Sequence, residues 1–197
     1  PDTYIRMNST LGYISVSQAI YAALPHLKAG DIILLPLQGL GPRTSTICPD
    51  GCECANFEAV PVEYWQDTFD AISAATAAGI IVIEAAGTGA VNLDADVYNG
   101  NFKRSKRDSG AIMVGAGDSD SHSALCYANT GSRVDLQGWG ENVVTTGYGD
   151  LYMDDEGNPQ SYYTATFGGS SAASAMVAGA VASLQGVAKA HGYLLTA

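Results

Sequence analysis

The chain has 197 residues, a length that suits one domain with a substantial core. Hydrophobic residues make up 47% of it, charged residues only 15%, and 23 glycines punctuate it, a composition typical of a packed α/β protein and not of a disordered one. The net charge of −11 argues against nucleic acids and anionic membranes as partners, because both attract clustered basic residues. No uninterrupted apolar run reaches the length of a membrane span.

Helical patterns alternate with short apolar runs through the first two thirds of the chain. Apolar spacing predicts helices over residues 14–27 and 62–78, and wholly apolar runs predict strands over 31–35, 80–83 and 111–115. Strands of this kind are buried on both faces, as in a parallel sheet. The alternation predicts an α/β fold, a three-layer α/β/α sandwich with a mostly parallel sheet.

Residues 36–42 are predicted to form a loop at the carboxyl end of the first strand. That edge of an open α/β sheet binds ligands, so the loop is either a ligand-binding segment or a simple turn. Residues 43–61 follow as an irregular, Cys-rich insertion.

Four cysteines offer either disulfides or a partial metal site: Cys48, Cys52, Cys54 and Cys126. A metal site needs a further suitable ligand, and no His stands close in sequence, so disulfides fit better.

The second apolar strand leads into Glu84-Ala85-Ala86-Gly87-Thr88-Gly89. Its Gly-Thr-Gly resembles a dinucleotide-binding turn only weakly, because no third glycine follows at the required spacing. Farther on, Asp108 comes before a strand, where it is predicted to be a turn or strand-entry residue.

The last third begins with alternating patterns that predict half-buried strands. These cover residues 134–137 and 143–146 and are separated by Gly138-Trp139-Gly140. Residues 151–153 and 161–165 then flank an acidic turn and predict a hairpin. The tip, Asp154-Asp155-Glu156, has the oxygen ligands that calcium takes, but a solvated acidic turn is favoured, and we expect no cofactor.

The most informative stretch is Phe167-Gly168-Gly169-Ser170-Ser171, which opens a long run of Ala, Met and Val. The order predicts a tight turn feeding the first turn of a buried helix. The first N–H groups of a helix lack intrahelical partners, so Ser171 would lie where an oxyanion is stabilised. The alternative is a buried Ala-rich helix whose serines act only as caps.

This stretch resembles the nucleophile segment of the subtilisin-like serine peptidases, Gly-Thr-Ser-x-Ala-x-Pro followed by Val-Ala-Gly. The matching residues are Gly169, Ser171, Ala173 and Val177-Ala178-Gly179. Three positions depart from the signature: Ser170 replaces Thr, Ala175 replaces Pro, and Met176 replaces the usual His. The resemblance implies that Ser171 is the nucleophile.

The same resemblance extends to two earlier segments. The family has Ala-Ala-Gly-Asn where this chain has Ala85, Ala86, Gly87 and Thr88, which implies that the first three wall the pocket for the residue before the cut. Thr88 then occupies the position of the Asn that donates to the oxyanion, a donor worth about 3–4 kcal/mol. Leu37, Gln38 and Gly39 are implied to pair with the substrate backbone.

The family's catalytic Asp and His precede the nucleophile, and this chain has neither in its motif. His26, His122 and His191 are predicted to be surface residues. The resemblance therefore implies one partial, N-terminally incomplete peptidase domain over residues 1–197.

Two functional hypotheses follow. The first is a secreted or extracytoplasmic serine endopeptidase, which hydrolyses peptide or protein substrates through an acyl-Ser171 intermediate when joined to the missing N-terminal part of its precursor. The isolated chain is expected to be inactive, because an unactivated serine is a poor nucleophile. The second is an inactive fragment or pseudo-peptidase that serves as an interaction module.

Overall fold

The computed structural model describes residues 15–42, 47–52, 54 and 57–196. Within them lie three α-helices, α1 (Val16–Ala23), α2 (Gln66–Ala77) and α3 (Gly169–Ala190). The strands are β1 (Ile32–Leu35), β2 (Gln38–Leu40), β3 (Ala59–Pro61), β4 (Ile81–Ala85), β5 (Ile112–Gly117), β6 (Leu136–Trp139), β7 (Val143–Thr146) and β8 (Tyr163–Phe167). The ends of the predicted domain, residues 1–14 and 197, lie outside the described residues, as does Ile14, the predicted start of the first helix.

A four-stranded parallel sheet in the order β1-β4-β5-β6 forms the centre of the molecule. Its two middle strands are the apolar runs that the sequence predicts as doubly covered, and every residue of β4 is buried. β1 and β4 are neighbours in register, with Leu35 opposite Glu84. Their carboxyl ends therefore open at the same edge of the sheet.

Helices cover both faces of this sheet, as a three-layer fold requires. α1 and α2 pack on one face, where Ile20 and Ile72 meet Val82 of β4. α3 packs on the other, where Ala173 contacts Ile83 and Val114. The α/β/α sandwich with a mostly parallel sheet is confirmed.

α3 is also the one helix in the described part of the chain that is long and apolar enough to cross a membrane by those two criteria alone. Its first turns, however, are buried against the sheet at Ala172, Ala173 and Ser174. These contacts account for the small apolar residues of its first turns, whereas only 28% of the apolar stretch as a whole is buried.

The predicted loop over residues 36–42 and the irregular insertion over 43–61 are both partly wrong. Gln38–Leu40 forms β2, which pairs antiparallel with β3, the last residues of the insertion. Backbone pairing between distant segments leaves no local sequence pattern, which is why three-residue strands escape prediction. Residues 43–46, 53 and 55–56 of the insertion lie outside the described residues.

The predicted helix over 62–78 is divided in two. Val62–Tyr64 is a 3-10 turn, Trp65 is extended with ψ 135°, and α2 begins at Gln66. One extended residue breaks the helix although the apolar spacing continues across it.

Gly138 and Trp139 do not separate two strands, as predicted, but belong to β6. Gly138 pairs with Ala116, and a Cβ at Gly138 would lie 2.7 Å from the carbonyl oxygen of Ala173. The glycine lets α3 approach the sheet closely, and this tertiary demand has the same sequence signature as a turn.

The hairpin near the end has a different partner strand from the predicted one. β8 pairs antiparallel with β7, whereas residues 151–153 contribute only an isolated bridge between Tyr152 and Tyr163. Residues 147–162 are therefore a long excursion between β7 and β8.

The cysteines form two disulfides, Cys48–Cys54 and Cys52–Cys126. The sulfur atoms of Cys48, Cys52 and Cys54 lie close enough together to suggest a metal site, but each is already bonded to another sulfur. The predicted disulfides are confirmed.

Candidate active site

The N-terminus of α3 lies beside the carboxyl ends of β1 and β4. The helix begins at Gly169, whose φ of +84° is a conformation that glycine adopts at little cost. The Gly169 N–H donates to the carbonyl oxygen of Gly140 at 2.6 Å, and the Tyr127 hydroxyl donates to the same oxygen at 2.8 Å. The turn before the two serines is thus fixed by bonds from outside the helix.

The hydroxyl of Ser171 points away from its own helix. It is half-buried, and its Oγ donates to the carbonyl oxygen of Pro36 at 2.9 Å. Pro36 directly follows β1, so the nucleophile predicted from the motif lies at the ligand-binding edge of the sheet. The adjacent N–H groups of the first helical turn have no intrahelical acceptor, and they concentrate positive potential there.

Ser170 lies on the other side of the turn and is buried. Its Oγ accepts a hydrogen bond from the Gly87 N–H at 3.0 Å. The hydroxyls of Ser170 and Ser171 therefore bond to two different loops and not to the first N–H groups of α3. Serine capping does not account for this pair.

The segment Ala85-Ala86-Gly87 follows β4 and is wholly buried. The Ala86 N–H donates to the Val114 carbonyl at 2.8 Å, and Gly87 has a φ of +95°. Its predicted role as a pocket wall stays a prediction, but the structure brings it directly against the Ser170–Ser171 turn.

Asn129 is the residue of this region that the sequence does not reveal. Its Nδ2 donates to the carbonyls of Ala59 and Ala86, at 2.8 and 2.7 Å. Its Oδ1 accepts from Gly89 and Val91, at 2.9 and 3.2 Å. Nothing in the local sequence distinguishes this buried side chain, which uses every bonding position of its amide to hold the 86–91 loop against β3.

Thr88 turns its hydroxyl away from the serine turn. Its backbone N–H and its Oγ1 both donate to Oε1 of Gln38, at 2.7 and 3.1 Å. Its methyl group faces the turn instead. Thr88 Cγ2 lies so near that a Cβ added at Gly169 would be 3.4 Å from it. The arrangement gives Ser171 no side-chain donor of the kind that Asn would provide.

The predicted substrate segment, Leu37-Gln38-Gly39, lies opposite Ala85-Ala86-Gly87. Leu37 packs against the α1–α2 core, and Gln38 and Gly39 belong to β2. Gly39 lies against the Trp65 ring so closely that a Cβ would overlap it. The main chain of this segment is thus fixed by β3 on one side and by Trp65 on another.

The three histidines do not contribute to the site. His26, His122 and His191 are exposed, as predicted, and His191 lies at the opposite end of α3 from Ser171. Asp108 accepts from the Gly110 N–H and pairs with Arg104, which confirms it as a turn residue. Among the described residues, none of these side chains is positioned to take the Ser171 proton.

A buried charge cluster lies below the pocket-wall segment. Arg133 donates to both carboxylate oxygens of Glu63, at 2.8 and 3.0 Å, and the Glu63 N–H donates to Oε1 of Glu84 at 2.8 Å. Burial, followed by the charge of Glu63, raises the pKa of the Glu84 carboxyl well above its usual range. Oε2 of Glu84, directly before Ala85, has no hydrogen-bond partner among the described residues.

The acidic turn at 154–156 is built as a closed turn. Asp154 accepts from the Asn158 N–H at 2.7 Å, and a hydrogen bond from Ser161 is the main cause that lowers the pKa of Asp154. The expectation of a solvated turn without calcium stays a prediction.

The α/β/α sandwich thus places a serine at the first turn of a helix, beside the carboxyl ends of two parallel strands. Residues 40–195 match the subtilase family, so the chain belongs to that family. No curated protein sequence matches the chain significantly.

Several solved structures are similar to this fold. A cold-adapted subtilisin-like serine proteinase is 20% identical, with a TM-score of 0.57. The match covers 92% of this chain and 52% of the proteinase. The prenylagaramide maturation protease PagA is 18% identical, with a TM-score of 0.58 and coverage of 93% and 54%. A lanthipeptide protease is 16% identical, with a TM-score of 0.60 and coverage of 92% and 54%. The chain thus spans about half the length of these proteins.

Proposed function

We propose that this chain is the nucleophile-bearing part of a subtilisin-type serine endopeptidase. The observation that carries the proposal is the position of the Ser171 hydroxyl. It is half-buried at the first turn of α3 and bonded to Pro36 at the end of β1. A purely structural role would not require the serine to lie at this edge of the sheet, where the ends of two parallel strands meet.

The reaction would be acyl transfer to Ser171. The bond from Ser171 Oγ to the substrate carbonyl carbon forms, a base takes the hydroxyl proton, and that proton passes to the leaving amine as the peptide C–N bond breaks. Water then hydrolyses the acyl-enzyme. The free N–H groups at the start of α3 would stabilise the oxyanion, with the Ser171 N–H as main donor.

The base and its orienting carboxylate would come from a polypeptide segment outside the described residues. The Ser171 hydroxyl donates to the Pro36 carbonyl at 2.9 Å, so an incoming base would have to compete for its proton. The isolated chain should therefore have little reactivity.

A fluorophosphonate probe tests the proposal, since it labels only an activated serine. We expect labelling of the full-length gene product, loss of that labelling in Ser171→Ala, and retention in Ser183→Ala, a matched change on the exposed face of the same helix. The 197-residue chain alone should label no faster than free serine. Absence of labelling in the full-length protein would overturn the proposal.

A pseudo-peptidase that acts as an interaction module is the second candidate, and one observation favours it. Thr88 stands at the Asn position and directs its hydroxyl to Gln38, so a side-chain donor to the oxyanion is lacking. The same probe decides, because a pseudo-peptidase leaves Ser171 unlabelled in the full-length protein.

The substrates we infer are peptides or proteins, and the compartment is extracytoplasmic. Two disulfides in a chain whose four cysteines are all paired support an oxidising environment. Fractionation of cells that express the full-length protein tests the location.

A further inference from the structure

The side chain of Gln38 bridges the two segments that would enclose the residue before the cut. Its Oε1 accepts from the Thr88 N–H and hydroxyl, at 2.7 and 3.1 Å. A backbone N–H can only donate, so the atom facing Thr88 is the carboxamide oxygen and not the nitrogen. This orientation of the amide follows from the chemistry of its partner.

The same oxygen lies against Gly87. A Cβ at Gly87 would be 3.4 Å from Oε1 of Gln38, which is ordinary van der Waals contact. The carboxamide therefore fills the space between the Leu37-Gln38-Gly39 segment and the Ala85-Ala86-Gly87 segment.

Neither segment can easily move apart to make room. β2 pairs with β3, where Gln38 lies opposite Pro61, and Trp65 supports Gly39 from below. Across the gap, Ser170 holds Gly87 at 3.0 Å. Two anchored main chains are thus bridged by one hydrogen-bonded side chain.

We infer that Gln38 is a specificity-determining residue that closes the pocket, so that the site accepts Gly or Ala before the cut and excludes large side chains. This inference rests on the proposed function for the location of the pocket. A large side chain could enter only if Gln38 left Thr88, and the buried Thr88 N–H would then lose its acceptor. A small side chain leaves both bonds intact.

Peptide binding to full-length protein carrying Ser171→Ala tests the inference without turnover. The probes are two peptides of one sequence that differ only in Ala or Phe before the scissile bond. We expect the Ala peptide to bind at least tenfold more tightly. Adding Gln38→Ala should improve Phe-peptide binding at least tenfold and change Ala-peptide binding less than threefold.

Two further variants serve as controls. Gln38→Glu keeps an acceptor for the Thr88 N–H and should retain the preference for Ala. Gln66→Ala makes the same change at an exposed glutamine at the start of α2 and should alter neither affinity. Unfolding transitions of all variants show that each is folded.

The outcomes separate this inference from the proposed function. Equal binding of both peptides, no effect of Gln38→Ala, or no binding of either peptide overturns the inference, even when the probe labels Ser171 in the unmutated protein. A preserved Ala preference without labelling supports the closed pocket and overturns the peptidase.

Discussion

Ser170 and Ser171 are adjacent in sequence but have separate tasks. Ser170 is buried and holds Gly87, whereas Ser171 is half-exposed and reaches Pro36. A helical step of about 100° per residue turns the two hydroxyls toward different loops. One serine therefore positions the proposed pocket wall while the other remains available for chemistry.

At Thr88, the proposed peptidase predicts a gain of function. Thr88→Asn would replace a methyl group near the serine turn by an amide donor and keep the backbone bond to Gln38. We expect kcat of the full-length protein on a peptide ester to rise about 10²- to 10³-fold, with little change in KM. Thr88→Val, which adds no donor, should give no gain, and an unchanged kcat in Thr88→Asn would contradict the assignment of this position.

Asn129 is expected to be the costliest amide to remove. Asn129→Ala removes four hydrogen bonds from buried backbone groups, two carbonyls and two N–H groups, so the free energy of unfolding should fall by about 3 kcal/mol. Urea denaturation measures this loss in the free energy of unfolding. The exposed Asn158, changed in the same way, should cost about 1 kcal/mol or less. Similar losses of stability for both variants would show that the four hydrogen bonds of Asn129 are not formed.

Glu84 gives the chain a pH dependence of known sign. Its pKa is raised in the folded state, so the unfolded chain releases the proton near pH 4.5 while the folded chain keeps it. This contribution to stability is complete below pH 4.5 and is lost as pH rises toward the folded pKa, by up to about 1.4 kcal/mol per pH unit.

Glu84→Gln removes that titration and keeps an acceptor for the Glu63 N–H. Between pH 5 and 7, its free energy of unfolding, measured in urea, should decline less steeply with pH than that of the unmutated chain. Glu156→Gln at the exposed hairpin tip should leave the slope unchanged. Parallel slopes for Glu84→Gln and the unmutated chain would mean that Glu84 is ionised when folded.

At the scale of elements, α3 lies in two different environments along its length. Its first turns are buried and display Ser171, whereas its later part is largely exposed, with Leu184 and Val187 among the exposed apolar side chains. The packing of its first turns depends on Gly138 of β6, which admits the helix backbone. The close packing of α3 on the sheet therefore depends on a residue without a side chain at position 138.

Two glycine substitutions should separate a conformational effect from a packing effect. Gly186 is exposed within α3, and a Cβ there would meet no atom within 4 Å, so Gly186→Ala should stabilise the chain by about 0.5–1 kcal/mol. Gly138→Ala should instead destabilise it, because the new methyl group would meet the Ala173 carbonyl. Thermal unfolding of both variants measures the difference, and a destabilising Gly186→Ala would contradict the helical assignment there.

At the scale of the whole molecule, the disulfides differ in how much chain they close. Cys52–Cys126 spans 74 residues and Cys48–Cys54 only 6. Because cross-link entropy grows with loop length, replacing Cys52 and Cys126 by Ala should cost about 4 kcal/mol, and replacing Cys48 and Cys54 about 2 kcal/mol. Denaturation of the two double variants measures this order, and the reverse order would show that the length of the closed loop does not set the stabilisation.

Sequence patterns determined the larger helices and strands of this protein and identified Ser171 as the candidate nucleophile. Doubly covered strands are mostly apolar, and a Gly-Gly-Ser-Ser turn before a small-residue helix is readable, because each is a local consequence of burial or backbone geometry. Only the tertiary structure decided which distant residues meet. Examples are the pairing of β2 with β3, the hydrogen bonds of the Asn129 amide, and the hydrogen bond that Thr88 donates to Gln38 across 50 positions. A hydrogen bond needs only one donor and one acceptor, and a single polar residue in a chain carries no signal of the partner that folding brings to it.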